Sequence, residues 1–464
     1  MTVKQIYSLI NSMASQMWGD SAIIANDYRG VISMGESVLA TNTSKEQFLG
    51  VLADRIGATI LRTLDLELDF PNLLRNSFEW GAIIQKINIQ PFSAQAQKAW
   101  NVGDNDFTPN QFDVDKPTVT QTFFKDANAW EFHVTIPDQM LKTAFTSAEA
   151  FGAFVDGIMS ALSDSMIMAL NNMSYGCIAN FIAEKVQTGN GVINVLQDYN
   201  TQFSKSYTSL SEAVLDKEFC RYVDMVIKNA IKYISKPSKL YNTGGMVRAT
   251  ARDNAHILIS SDFATASEVY LQADTYWKDL LSLPGYKEFV SLQGTGNDIM
   301  PTIENNTKIS VIPASNANNN NNNVIVNGII ALIADREAFG IGYNDRFTAV
   351  DRNNRNRYSN YTSGATLQYF NDLSENGIVI IANNEGLSVD KTSLTFANTS
   401  AADQTITATT SPAGETVTWK SSKTSVATVS GGVVSAAGTG SCNITAEATI
   451  NGIKYTKTIS VTVG

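Results

Sequence analysis

Residues Thr143 to Val186 read TAFTSAEAFGAFVDGIMSALSDSMIMALNNMSYGCIANFIAEKV, and this stretch decides the fold. Thr146 and Glu149 stand three apart before a long apolar run, the capping-box spacing that satisfies orphan amides at a helix start. Phe151, Phe154, Val155, Ile158, Met159, Leu162, Met166, Leu170, Met173, Cys177, Ile178, Phe181 and Ile182 then recur at three- and four-residue steps, so one face of a helix is buried. At ~1.5 Å per residue such a helix is ~60 Å long, far beyond the usual three or four turns. Gly152, Gly157 and Gly176 are expected to bend or interrupt it.

The 464-residue chain allows about three domains. Charged residues make up only 17% and the net charge is −10, which excludes a dedicated nucleic-acid surface built from clustered Lys and Arg. The N-terminus lacks a signal-peptide pattern and no eighteen apolar residues run together, so a protein made and kept in a cytosol, without a membrane partner, is expected. Cys177, Cys220 and Cys442 are odd in number and far apart, hence buried thiols and not disulfides or zinc ligands.

Working outward, residues 1–64 read as a partly helical arm: an amphipathic start, a polar loop, and a segment in which Phe48, Val51, Leu52, Ile56, Ile60 and Leu61 share a face. Phe78–Phe92, Thr118–Lys125 and Trp130–Pro137 alternate as strands do, which predicts a long two-stranded excursion with a polar tip, stable only against another surface. After the long helix a polar connection covers 189–210, and Ser211–Ile234 is a second amphipathic helix. His256–Phe263, Lys308–Pro313 and Val324–Tyr343 read as strands alternating with helical segments, an α/β core. Six consecutive Asn residues, 318–323, are expected to be an exposed loop that tolerates length.

Past Asn384 the composition turns to Ser, Thr, Ala, Val and Gly in short alternating runs, predicting a small all-β domain of about seven strands over 385–464 with a hairpin turn at Asn451-Gly452. Its stretch TVTWKSSKTSVATVSGGVVSAAGTGSCNITAEA resembles the bacterial Ig-like, group 2 family: Trp419, Ser421 and Ser422, Val426 to Val429, Gly432 to Val434 and Gly440 to Ala446 match that family's motif. The resemblance implies a sandwich with Trp419, Val426, Val429 and Ile444 in its core.

Catalysis needs a base or a nucleophile, and the only histidines are His133 and His256. His133 falls on the polar side of an alternating strand, with Glu131 and Thr135; His256 opens an apolar one. No nucleophile motif, phosphate loop or metal-ligand spacing accompanies them, so the sequence predicts neither an enzyme nor a cofactor nor a metal site. Basic residues cluster once, at DRNNRNRYSNY, where Arg352, Arg355 and Arg357 sit beside Tyr358 and Tyr361. Either this is a solvated turn or Arg352, Arg355 and Arg357 make an intersubunit contact.

The order of parts, together with Leu52–Glu67, Leu141–Ile158, His256–Val269 and Leu332–Arg355, resembles the major capsid protein of short-tailed phages of the phi twenty-nine group. That resemblance implies an α+β fold of the Hong Kong 97 phage type with a C-terminal Ig-like sandwich. The N-terminal arm would be 1–64, the extended β-loop 65–136, the peripheral domain with its spine helix 137–206, the axial domain 207–330, the return to the peripheral sheet 331–384 and the Ig-like domain 385–464. It further implies hexamers and pentamers in an icosahedral or prolate head around double-stranded DNA, a scaffolding protein, a portal at one vertex, and a virion subunit made in the bacterial cytoplasm. An outward Ig-like domain would leave a host-associated glycan as a further partner. The rival is a cell-surface adhesin with an Ig-like domain, a class that usually carries a secretion signal and several such repeats.

Overall fold

A computed structural model describes residues 3–19, 25–52, 69–75, 84–91, 116–124, 127–272, 286–290, 292, 308–313, 323–353 and 355–464. The chain divides into two compact units, one built chiefly from 1–175 and 339–370, the other from 176–294, 301–338 and 371–464. The helix read from the sequence is there, Ala148–Thr188, 41 residues without a break. Its cap lies one residue later than the spacing predicts: the Ala150 amide donates to Ser147 Oγ at 3.1 Å, while Thr146 Oγ1 closes the preceding turn on the Thr143 carbonyl at 2.7 Å. The glycines do not interrupt it. Gly152 instead lets the arm approach, since a Cβ there would meet the Ile6 side chain at 2.6 Å. By length and apolarity this helix could cross a membrane, yet Phe151, Val155, Leu162, Ile178, Phe181 and Ile182 are buried in the protein's own core.

In the first unit the arm is more helical than its sequence suggests. Helices Val3–Trp18 and Tyr28–Leu39 are followed by a third, described over 42–52, so the expected polar loop contains a helix started by the Asp27 cap. Ile6, Ile10, Met13, Val31, Met34, Val38, Phe48 and Leu52 are buried, and the Phe48 ring lies 5.3 Å from Phe145 and 6.0 Å from Phe151. Ile56, Ile60 and Leu61 lie outside the described residues. A four-stranded sheet has the order Leu74–Arg75, Phe339–Asn353, Tyr358–Asn371, Ala127–Pro137. Its last strand runs antiparallel to Tyr358–Asn371, from Tyr358 opposite Pro137 to Gln368 opposite Ala127. The excursion is thus a pair, Ile84–Ile89 against Val119–Phe124, and the third run of alternating residues belongs to this sheet.

The second unit centres on a five-stranded sheet, Val192–Asn194, Gly377–Ile381, Ile329–Asp335, Ala255–Ser260, Tyr286–Phe289. Continuous apolar runs such as IIALIAD suit a sheet buried on both faces. Val192–Asn194 and the helix Val195–Phe203 occupy what reads as a polar connection. The helix expected over Ser211–Ile234 is split: Leu210–Ala213 is one turn, and Asp216 caps a new start at Lys217–Ile234, leaving Leu215 exposed. Phe219, Val223, Ile227 and Ala230 face the sheet as the periodicity requires.

Residues 386–464 form nine strands, two more than expected, in sheets ordered Ser393–Phe396, Ile453–Val463, Gly440–Ile450, Val417–Ser421, and Gln404–Thr405, Val433–Ala436, Ala427–Ser430, with Gly386–Val389 paired to Ala408–Ser411. Asn451 and Gly452 turn the longest hairpin at φ 52° and 80°, as expected of Asn-Gly. Val426 and Ile444 lie in the core of this segment. Trp419 and Val429 are only half-buried and pack against that core. The indole lies over Gly432, where a Cβ would stand 3.3 Å from the ring.

Candidate functional site

The three arginines part company in the structure. Arg352 is turned inward, its side chain 2% exposed, and forks onto Asp138 through Nη1–Oδ1 and Nη2–Oδ2, both 2.7 Å. Nη1 also reaches Ser359 Oγ at 3.2 Å, and Lys45 Nζ donates to Asp138 Oδ2 at 3.0 Å. Asp138 opens the helix Asp138–Ala144, where a carboxylate also suits the helix dipole. The hydrogen bonds from Arg352 hold its carboxyl down at about 2, against the opposing effect of burial. The Asp138 amide donates to the Arg357 carbonyl at 3.0 Å, so backbone as well as side chain ties the turn of the 339–371 hairpin to this helix. Arg355 and Arg357 are exposed on that turn, and Arg357 has φ 53°. The contact expected of Arg352 is therefore made within the chain. Lys45 and Asp138 were missed by sequence reading, since nothing in the sequence marks either as a partner of Arg352.

The ribbon has two unlike faces. Direct pairing of Gln85 with Phe123, Ile87 with Gln121 and Ile89 with Val119 puts these six residues on one side. Ile87, Ile89, Val119 and Phe123 are each about half exposed there. On the other side Asn88 is buried and the Phe124 ring lies 5.5 Å from Phe370.

His133 is exposed, with Nδ1 3.0 Å from Thr362 Oγ1 and Nε2 3.4 Å from Glu131, as a strand residue on a polar face. His256 stands in the second unit's sheet opposite Ala334. Cys177, Cys220 and Cys442 are buried; burial pushes the Cys177 thiol up to about 12 and the Cys220 thiol to about 11, which keeps both protonated and inert. Among the described residues no group of His, Cys, Asp and Glu could hold a metal.

The model of the Phi29-like phage major capsid protein family matches residues 9–381, from the arm to the last strand of the second unit's sheet. The chain belongs to that family. Its members are virion structural proteins and not enzymes. Among similar curated proteins, the major capsid protein of Streptococcus phage Cp-1 is 23% identical over 228 residues, 48% of this chain and 58% of that protein. The major capsid protein of Bacillus phage B103 is 28% identical over 167 residues, 35% and 36% of the two chains. The chain thus spans between 36% and 58% of the length of these two relatives. Among solved structures, a capsid of Staphylococcus phage Andhra is similar at TM-score 0.43 and 11% identity, covering 67% of this chain and 83% of that one. The capsid of cyanophage P-SCSP1u is similar at TM-score 0.38 and 12% identity, covering 67% and 86%.

Proposed function

We propose that the chain is the major capsid subunit of a tailed double-stranded DNA phage, assembling as hexamers and pentamers into the head that encloses the genome. The observation that carries this is the family match from residue 9 to residue 381. The ribbon supports it physically: one face leaves four large apolar side chains about half exposed, and covering each with a neighbour would contribute roughly 1 kcal/mol. In this reading the fold is of the Hong Kong 97 phage type, with 1–64 the arm, 65–136 the extended loop, 137–206 the peripheral domain, 207–330 the axial domain and 331–384 the return. Arg355 and Arg357, exposed on their turn, are the intersubunit contact. Residues 385–464 are an Ig-like group 2 domain on the outer surface, where a host-associated glycan is a possible ligand class. A scaffolding protein, a portal and non-specifically held DNA complete the partners. The test is co-expression with the phage's scaffolding protein and electron microscopy of the product. Closed shells are expected; a species that stays monomeric under every assembly condition would overturn the proposal.

A further inference from the structure

Composition marks 385–464 as an appendage, and an appendage on an exposed linker swings. The junction is not built that way. Asn383 and Glu385, on the segment connecting Gly377–Ile381 to Gly386–Val389, are buried. Asn194 Nδ2 donates to the Asn383 carbonyl at 3.0 Å and to its Oδ1 at 2.9 Å, and Gln197 Nε2 donates to the Glu385 carbonyl at 2.8 Å. The Glu385 carboxylate then joins three segments, because Oε1 accepts from Asn327 Nδ2 and, at 2.8 Å, from Asn451 Nδ2. Asn451 is the tip of the 440–463 hairpin, sixty-six residues further on. That tip is seated by the backbone too: the Ile325 amide donates to the Asn451 carbonyl at 2.9 Å, and a Cβ on Gly452 would collide with the Asn323 carbonyl.

Two points of the β segment, its entry strand and a distant hairpin tip, are therefore fastened to the α/β part of the same unit. Two separated attachments remove the rotation that one linker allows. We propose that Glu385 and Asn451 form a lock that holds residues 386–464 in one orientation on the α/β part, making the segment a rigid extension and not a tethered domain. The lock is polar, and the β segment has its own apolar core, so opening the lock frees the segment without unfolding it. A cleft of about 400 Å³ lies at this junction, lined by Gln197 and Thr201 from one part and Thr409, Ser411, Tyr455 and Lys457 from the other.

The inference concerns the single chain and stands whether or not shells form. Spin labels at Lys232→Cys and Lys423→Cys, both exposed positions away from the three buried native thiols, report the orientation in the full chain. One narrow distance distribution is expected without further change, and about a twofold broadening in Glu385→Ala with unchanged circular dichroism. Should Glu385→Ala fail to fold, Asn451→Gly decides in the same way, since glycine accepts the positive φ and deletes only the amide. A broad distribution before either substitution, or a narrow one in the deciding variant, overturns the lock.

Discussion

Arg352 and Asp138 stand 214 residues apart in the chain and hold each other by two parallel 2.7 Å bonds. The pair fixes the tip of one hairpin to the start of a helix, with Lys45 from the arm as a third member. Removing Arg352 leaves Asp138 with Lys45 and partial solvent contact, so Arg352→Ala should cost about 1 to 3 kcal/mol. Arg352→Lys should recover only part of this, because a point charge cannot replace the fork. In a double-mutant cycle, urea melts of Arg352→Ala with Asp138→Asn should show a combined loss well below the sum of the two.

The same carboxyl predicts an acid limit. Its folded value of about 2 lies below its ordinary 3.8, so the folded state is favoured above pH 3.8 and that contribution disappears as pH falls through 2. After solvent screening the effect is about 1 kcal/mol. Thermal melts from pH 5 to pH 2 should fall more steeply in the natural protein than in Asp138→Asn; parallel curves would refute the assignment.

Lys185 predicts the opposite limb. It is buried, donates to the Tyr241 carbonyl at 2.7 Å, and burial lowers its ammonium to about 8 from 10.5, with Asp372 opposing. The folded state therefore releases the proton first, and stability should rise as pH goes from about 8 towards 10.5, by up to roughly 3 kcal/mol. Subtracting the profile of Lys185→Met should isolate this rise. A flat difference would show that the amine reaches solvent.

Within 386–464 the burial order sets a ranking. Ile444 is fully buried and Ile444→Ala should cost about 2 to 5 kcal/mol, whereas Trp419→Ala, half-buried over Gly432, should cost about 1 to 3 kcal/mol despite its larger ring. Amide exchange in Val417–Ser421 and Gly440–Ile450 of the full chain reads both; a larger loss for Trp419→Ala would put the indole at the centre.

The ribbon face separates folding from assembly. Ile87→Ser with Phe123→Ser removes mainly half-exposed apolar surface, so the loss of folding stability should be small, about 1 kcal/mol, while shell yield in the presence of scaffold falls at least severalfold. An unfolded double variant would mean that this face belongs to the subunit's own core.

What the sequence determined by itself was local and periodic. The 3.6-residue repeat of Phe151 to Ile182 specified a long helix because burying that face needs no knowledge of the partner, and Asn451-Gly452 specified a hairpin because the turn demands positive φ. The motif segments also indicated the family that the match over residues 9–381 established. What only the tertiary structure decided were the pairings across long stretches of chain. Arg352 read as part of a solvated turn or of an intersubunit contact, and its partner lies 214 residues earlier in the same chain. Trp419 read as a core residue, and the tertiary structure packs it against the core while leaving it half-buried. The helix at Tyr28–Leu39 was hidden in a polar stretch, since its stability comes from packing Val31, Met34 and Val38 and not from a long periodic run. Periodicity reports that a face is buried. Which surface covers it, and which charge meets which, depends on contacts between residues far apart in the chain.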